Sequence, residues 1–198
     1  STRVVDDRWK AALVTLLHKS GPKSDPSNFR PITLLSSEWK LFTSMVHDYL
    51  YEQALPHYGE TQFGFRKGCW LHEAHLFVLA ALQSNYHRDT GGLAFIDFCK
   101  AFDSIRWPFL LRIAKEKISP LASSLIALTL SGRSVQILLS DGLSEAIPIR
   151  KGVPQGDSLS PLLFNLAAGD IFTKIPSTSR IYNSVPVSWV AFADDLNG

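Results

Sequence analysis

A chain of 198 residues, 45% hydrophobic and 19% charged, has the composition of a globular protein and excludes a disordered or fibrous one. That length suits one ordinary domain or two subdomains sharing a core. A net charge of +2 is too small to indicate a nucleic-acid partner by itself, yet it excludes none, because clustered acids cancel a basic surface in the sum.

No apolar run reaches membrane-spanning length, and Asp6, Asp7 and Arg8 stand where a signal peptide would be apolar. Cys69 and Cys99 match no metal-ligand spacing, so reduced thiols in a soluble intracellular protein without a membrane partner are expected. In chain order, Ala11 to His18 predicts a strand, and the turn-forming run from Ser20 to Asn28 a loop. Ile32 to Leu35 continues as a short strand. Trp39, Phe42, Met45, Val46, Tyr49 and Leu50 then recur at helical spacing behind Ser36 or Ser37 as N-cap. A second helix is expected over Leu71 to Tyr86, a break at Gly91-Gly92, and an apolar strand over Leu93 to Asp97. Pro108 and Pro120 each suit the first turn of a helix. Asp141-Gly142 between Ser134–Ser140 and Leu143–Arg150 predicts a hairpin. A helix over Ser158 to Lys174 and a strand over Ser188 to Phe192 complete an α+β pattern. Trp39, Trp70 and Trp107 are expected to fill a core, and His72 and His75 to be surface or packing residues.

Chemistry enters where acids end strands. The run 93–97 delivers Asp97, and the run 190–195 delivers Asp194 and Asp195. Carboxylates on neighbouring rigid strands suit a pair of hard divalent ions about 3.5–4 Å apart, the arrangement used in phosphoryl transfer. Any one of these aspartates taken alone is more simply a strand-end or turn residue.

The set as a whole is more specific. Phe95-Ile96-Asp97-Phe98-Cys99-Lys100-Ala101-Phe102-Asp103 resembles motif A of reverse transcriptases in its non-LTR (LINE-type) retrotransposon form. Gly152-Val153-Pro154-Gln155-Gly156-Asp157-Ser158-Leu159-Ser160-Pro161 resembles motif B, and Phe192-Ala193-Asp194-Asp195 motif C, with phenylalanine in place of the usual tyrosine. Upstream, the run 28–35 and Gln62-Phe63-Gly64-Phe65-Arg66 are similar to the family's fingers motifs. Five motifs fall in the family's order and cover nearly the whole chain.

The resemblance implies the fingers and palm of a right-hand polymerase: an antiparallel palm sheet backed by helices, with the thumb absent. Its divisions would be 1–92, fingers with the helices entering the palm; 93–118, palm; 119–150, a hairpin region; and 151–198, palm again. It implies RNA-directed DNA synthesis from an RNA template, a DNA primer and dNTPs, with two Mg²⁺ ions for which Mn²⁺ can substitute. A nuclear location follows from the same likeness. Asp97, Asp194 and Asp195 would be the catalytic acids, with Asp97 and Asp194 the main metal ligands and the Phe98 carbonyl completing a shell. Phe102 would be the aromatic gate under the sugar, and Gln155 and Gly156 would lie beside the incoming base pair. Lys19 and Arg30 would grip the triphosphate, and Arg66 and Lys67 would contact template. Asp103 would make local hydrogen bonds. Group II intron enzymes and a domesticated, inactive scaffold share parts of this pattern; a two-metal nuclease would need neither the Pro-Gln-Gly run nor the gate. The chain is expected to end before the second strand of the motif C hairpin and before any primer grip, leaving that turn frayed and the isolated segment inactive.

Overall fold

The computed structural model describes residues 5–85, 95–98, 100–172, 174, 179–180, 186–187, 190–192 and 195–197. After a one-turn helix, α1 (Asp7–Lys10), the chain enters β1 (Ala11–His18), and β2 (Phe29–Leu34) returns antiparallel to it. The turn between them is tied by its own polar groups. Lys19 N–H donates to the Asn28 carbonyl at 2.8 Å, and Asp25 accepts from Ser27 N–H at 2.9 Å. Pro31 is tolerated because β2 is the edge of its sheet.

Helix α2 (Ser37–Ala54) starts where Ser36 Oγ accepts the Trp39 N–H, at 3.1 Å, and buries Trp39, Thr43, Val46, Leu50, Tyr51 and Ala54. Helix α3 (Leu71–Asn85), strand β3 (Phe95–Asp97) and the short α4 (Ala101–Ser104) follow. Helices α5 (Trp107–Lys117) and α6 (Pro120–Leu130) carry their prolines in the first turn, as expected; Ser119 Oγ caps α6 through the Ala122 N–H. Strand β4 (Ser134–Leu139) lies parallel to β1, which makes this first sheet mixed, in the order β2-β1-β4-β5.

The hairpin after β4 departs from expectation. Its returning arm pairs with β4 only over β5 (Gly142–Leu143) and β6 (Ile147–Pro148), with a break between them. Ser144 causes it: its Oγ accepts the Ile137 N–H at 2.8 Å, so a side chain replaces a ladder carbonyl. The tight turn pairs Leu139 with Gly142, so it is centred on Ser140-Asp141.

Helix α7 (Ser160–Phe172) is the axis of the molecule. It is buried on almost every side, as an apolar helix with no polar face must be. Leu162, Leu163 and Leu166 meet Leu110, Ile113, Ile126 and Leu130 of α5 and α6 in one core, each contributing about 1.5–3 kcal/mol by leaving water. Asp170 at its outer end is paired with Lys174 at 2.8 Å and Lys117 at 3.1 Å. The Lys174 hydrogen bond holds its carboxyl below the ordinary value, against the opposing effect of burial.

Two short strands, β7 (Ser179–Arg180) and β8 (Pro186–Val187), pair with each other, and β9 (Val190–Phe192) and β10 (Asp195–Asn197) join β3 in an antiparallel sheet of order β3-β10-β9. This corrects the expectation that the motif C hairpin lacks its second strand. Asp195–Asn197 is that strand, paired with β9 on one side and β3 on the other. Three residues suffice because a central strand has ladder partners on both edges. Gly91-Gly92, Leu93, Cys99, Ser188 and Asp194 lie outside the described residues. Trp70 is also corrected: it sits just before α3 with 65% of its surface exposed, whereas Trp39 is fully buried and Trp107 partly so. His72 and His75 are exposed.

A methyl group at Gly169 of α7 would lie 2.1 Å from the His57 carbonyl oxygen. Gly169→Ala should therefore destabilise the fold by about 1–3 kcal/mol or more through overpacking, read as a lower midpoint in urea unfolding. An unchanged midpoint would mean that the 55–58 turn is not packed against α7.

Candidate active site

The segment that follows Asp97 and the motif that bears Gln155 come together through close contacts. Gly152 N–H donates to the Ile105 carbonyl at 2.8 Å, and Val153 N–H to the Phe102 carbonyl at 2.9 Å. From α5, the Trp107 indole N–H donates to the Gly152 carbonyl at 2.8 Å. The approach is so close that a Cβ on Gly152 would lie 2.9 Å from the Asp103 Cα, and its φ of 79° is one that glycine adopts freely.

This clamp sets the wall of an open cleft of about 580 Å³ lined by Arg30, Phe65, Phe102, Gln155, Gly156, Asp157, Ser158, Ser160 and Pro161. Four residues expected to bind nucleotide (Arg30, Phe102, Gln155 and Gly156) thus converge from three distant parts of the chain. The Phe102 ring is fixed on two sides. It stacks on Phe164 of α7, with centroids 5.1 Å apart and planes 18° apart, and meets the edge of Phe65 at 5.9 Å and 83°. Lys19 belongs to the same hairpin as Arg30 but is exposed at its turn end, outside the cleft's lining.

Phe65 was not legible as a site residue. It holds a φ of 57°, costly for a bulky side chain, which marks a conformation imposed by its surroundings. Those surroundings are visible. Gln62, fully buried, accepts the Gly64 N–H at 2.9 Å; Asn165 of α7 donates to the Gly64 carbonyl at 2.8 Å. Phe63 N–H and Thr61 C=O bond to Ala191 of β9. The segment 61–65 is thereby stitched to both the β3-β10-β9 sheet and α7. Arg66 and Lys67 are partly engaged within the protein. Arg66 donates to the Gln62 carbonyl at 3.2 Å, and Lys67 Nζ lies 4.6 Å from the Tyr51 ring centroid and 3.9 Å from Asp48.

For the acids, the backbone supplies one fact. Asp97 and Asp195 are register partners in β3 and β10, directly across from one another. Asp194 lies outside the described residues. Phe98 follows β3 with its ring 6.2 Å from that of Phe172, part of the core. Aspartates at facing register positions bring to adjacent strands a residue type whose oxygens are the hard donors that divalent ions require. Among the described residues no helix is long and apolar enough to cross a membrane.

Comparison with known proteins points to one family. Residues 19–197 match the family model described as "Reverse transcriptase (RNA-dependent DNA polymerase)". The RNA-directed DNA polymerase from mobile element jockey of Drosophila melanogaster is 31% identical over 194 residues, which are 94% of this chain and 21% of that protein. The Pol polyprotein from the type-1 retrotransposable element R2 of Popillia japonica is 30% identical over 193 residues, 95% of this chain and 27% of that one. The chain therefore spans about a fifth to a quarter of these relatives. Among solved structures, the apo telomerase of Candida tropicalis truncated from its C-terminal domain superposes with a TM-score of 0.65 at 14% identity, covering 98% of this chain and 44% of that one. At that identity the likeness concerns the fold.

Gly152→Ala should push the motif B loop off the Asp103 backbone, at a cost of about 1–3 kcal/mol from strain and crowding. Differential scanning calorimetry, with Gly68→Ala as an uncrowded control at similar φ, tests this. Equal losses at the two sites would remove the special role of the approach.

Proposed function

Because the chain belongs to the reverse transcriptase (RNA-dependent DNA polymerase) family, we propose that it is the catalytic segment of a non-LTR retrotransposon polymerase that copies RNA into DNA. The observation that carries this is the convergence of Arg30, Phe102, Gln155 and Gly156 on one cleft beside the clamp that joins motifs A and B. The substrates are a dNTP, a DNA primer and an RNA template.

Each residue has a task that its chemistry suits. The Arg30 guanidinium offers planar, permanently charged donors to triphosphate oxygens; Lys19 at the hairpin's end supplies a second, mobile charge. Gln155 hydrogen-bonds sugar or phosphate, and Gly156, with a φ of 93°, lets the backbone approach the nucleotide closely. The Phe102 ring, held between Phe164 and Phe65, is too rigid to move aside for a ribose 2′-hydroxyl. Asp97, Asp194 and Asp195, with the Phe98 carbonyl, would hold two Mg²⁺ ions. Bound there, such ions lower the pKa of the primer 3′-hydroxyl and neutralise the charge on the leaving pyrophosphate. The chain's own contribution is to hold nucleotide and primer end in reacting geometry, where an error of about 1 Å costs roughly 10²-fold.

In the complete polymerase, Asp97→Asn should lower primer extension on an RNA template by several orders of magnitude with folding intact. Near-normal extension by that variant, or nicking of the duplex in place of extension by the unsubstituted enzyme, would refute the proposal. Phe102→Val should keep dNTP use measurable while the kcat/KM ratio of dNTP over rNTP falls on the order of tenfold or more. An unchanged ratio would return Phe102 to core packing alone.

A further inference from the structure

Asp157 directly follows Gln155 and Gly156 and lines the same cleft, yet it is buried, with 5% of its surface exposed. Both of its oxygens have partners. Oδ2 accepts the indole N–H of Trp39 at 3.0 Å, and Oδ1 accepts the backbone N–H of Leu159 at 3.2 Å. Arg133, itself buried, brings a guanidinium nitrogen to 3.8 Å from Oδ2 and lies over the Trp39 ring, 5.6 Å from its centroid. Trp39 stands in the first turn of α2, and Arg133 immediately precedes β4 of the mixed sheet. One carboxylate therefore gathers three parts of the chain far apart in sequence.

Stability alone is a poor reason for this arrangement. At 3.8 Å the charges attract without a hydrogen bond, and a buried ion pair commonly does no better than well-packed apolar side chains. Burial lowers the pKa of the Arg133 guanidinium, opposed by the Asp157 charge. What the group does supply is position. The turn 154–157 is otherwise closed by one long backbone bond, Asp157 N–H to the Pro154 carbonyl at 3.4 Å. Beneath it is a cavity of about 170 Å³ lined by Thr33, Arg133, Pro154 and Gln155, so the turn has room to sink.

We propose that Asp157, held by Trp39 and Arg133, is a positioning residue that fixes the height of the Gln155-Gly156 turn and so sets affinity for the incoming nucleotide. This rests on the polymerase reading above. Asp157 acts through its neighbours; its carboxylate is occupied within the protein and does not reach for substrate.

The test is single-nucleotide incorporation on a primed RNA template by the complete polymerase. Asp157→Asn removes the charge facing Arg133 and, with one acceptor oxygen in place of two, keeps only one of the bonds from Trp39 and Leu159. Trp39→Phe keeps the ring and removes only its N–H. Each should raise the KM for dNTP about tenfold, the usual scale of one hydrogen bond to a charged group. The primer–template Kd should stay within about twofold, and the double variant should lose less than the product of the two, as members of one unit do. Arg133→Lys, which restores a charge, should be milder than Arg133→Met. If Asp157→Asn fails to fold, Trp39→Phe, which removes a single bond, decides alone. An unchanged KM with a lowered melting temperature in Trp39→Phe would make the group merely structural and overturn the inference. No RNA-templated extension by the unsubstituted enzyme would overturn the polymerase reading and the inference with it; normal extension with KM unmoved in the variants would overturn the inference alone.

Discussion

The backbone of residues 152–153 lies against that of residues 102–105, and the rest of the site depends on that approach. Two backbone hydrogen bonds, both at or under 2.9 Å, hold the two segments together, the Trp107 indole adds a third to Gly152, and a side chain at Gly152 would drive them apart. The segment after β3 ends in the Phe102 ring; the segment after Gly152 becomes the Gln155 turn and then α7. Joining them at one point fixes the ring and the turn relative to each other, independent of anything bound between them. Lys100, with a φ of 53°, makes the bend that lets α4 reach the clamp at all.

Helix α7 extends this constraint through the molecule. One of its residues, Phe164, supports the Phe102 ring; another, Asn165, holds the Gly64 carbonyl; a third, Gly169, admits the 55–58 turn. A helix with partners on every side cannot shift without disturbing all of them, because interiors are close-packed. Precision in the cleft therefore comes from the core. Arg30 reaches the cleft from β2, the edge strand of the mixed sheet.

Charge is arranged locally. The sum of +2 conceals Arg30 in the cleft, Arg133 under the turn, and acids brought across from one another at the ends of β3 and β10. The basic residues nearest the segment 61–65 are partly satisfied by Asp48, Tyr51 and the Gln62 carbonyl.

The sequence by itself determined the local elements and the chemistry. β1 ran over the expected residues, Ser36 capped α2, and the prolines at 108 and 120 opened helices, because caps, turns and periodicity act over a few residues. The ordered motifs likewise determined the family, since they state which residue types stand together along the chain. The tertiary structure alone decided what faces what. Ser144 broke a strand by bonding across to Ile137; Asp195–Asn197 became a central strand by finding partners on both sides; Trp70, apolar by type, stayed at the surface. The roles of Phe65 and Asp157 were invisible for the same reason. One depends on Asn165, a hundred residues away along the chain, and the other on Trp39 and Arg133. Contacts between segments so far apart leave no mark in local spacing, because they arise from how already formed elements pack.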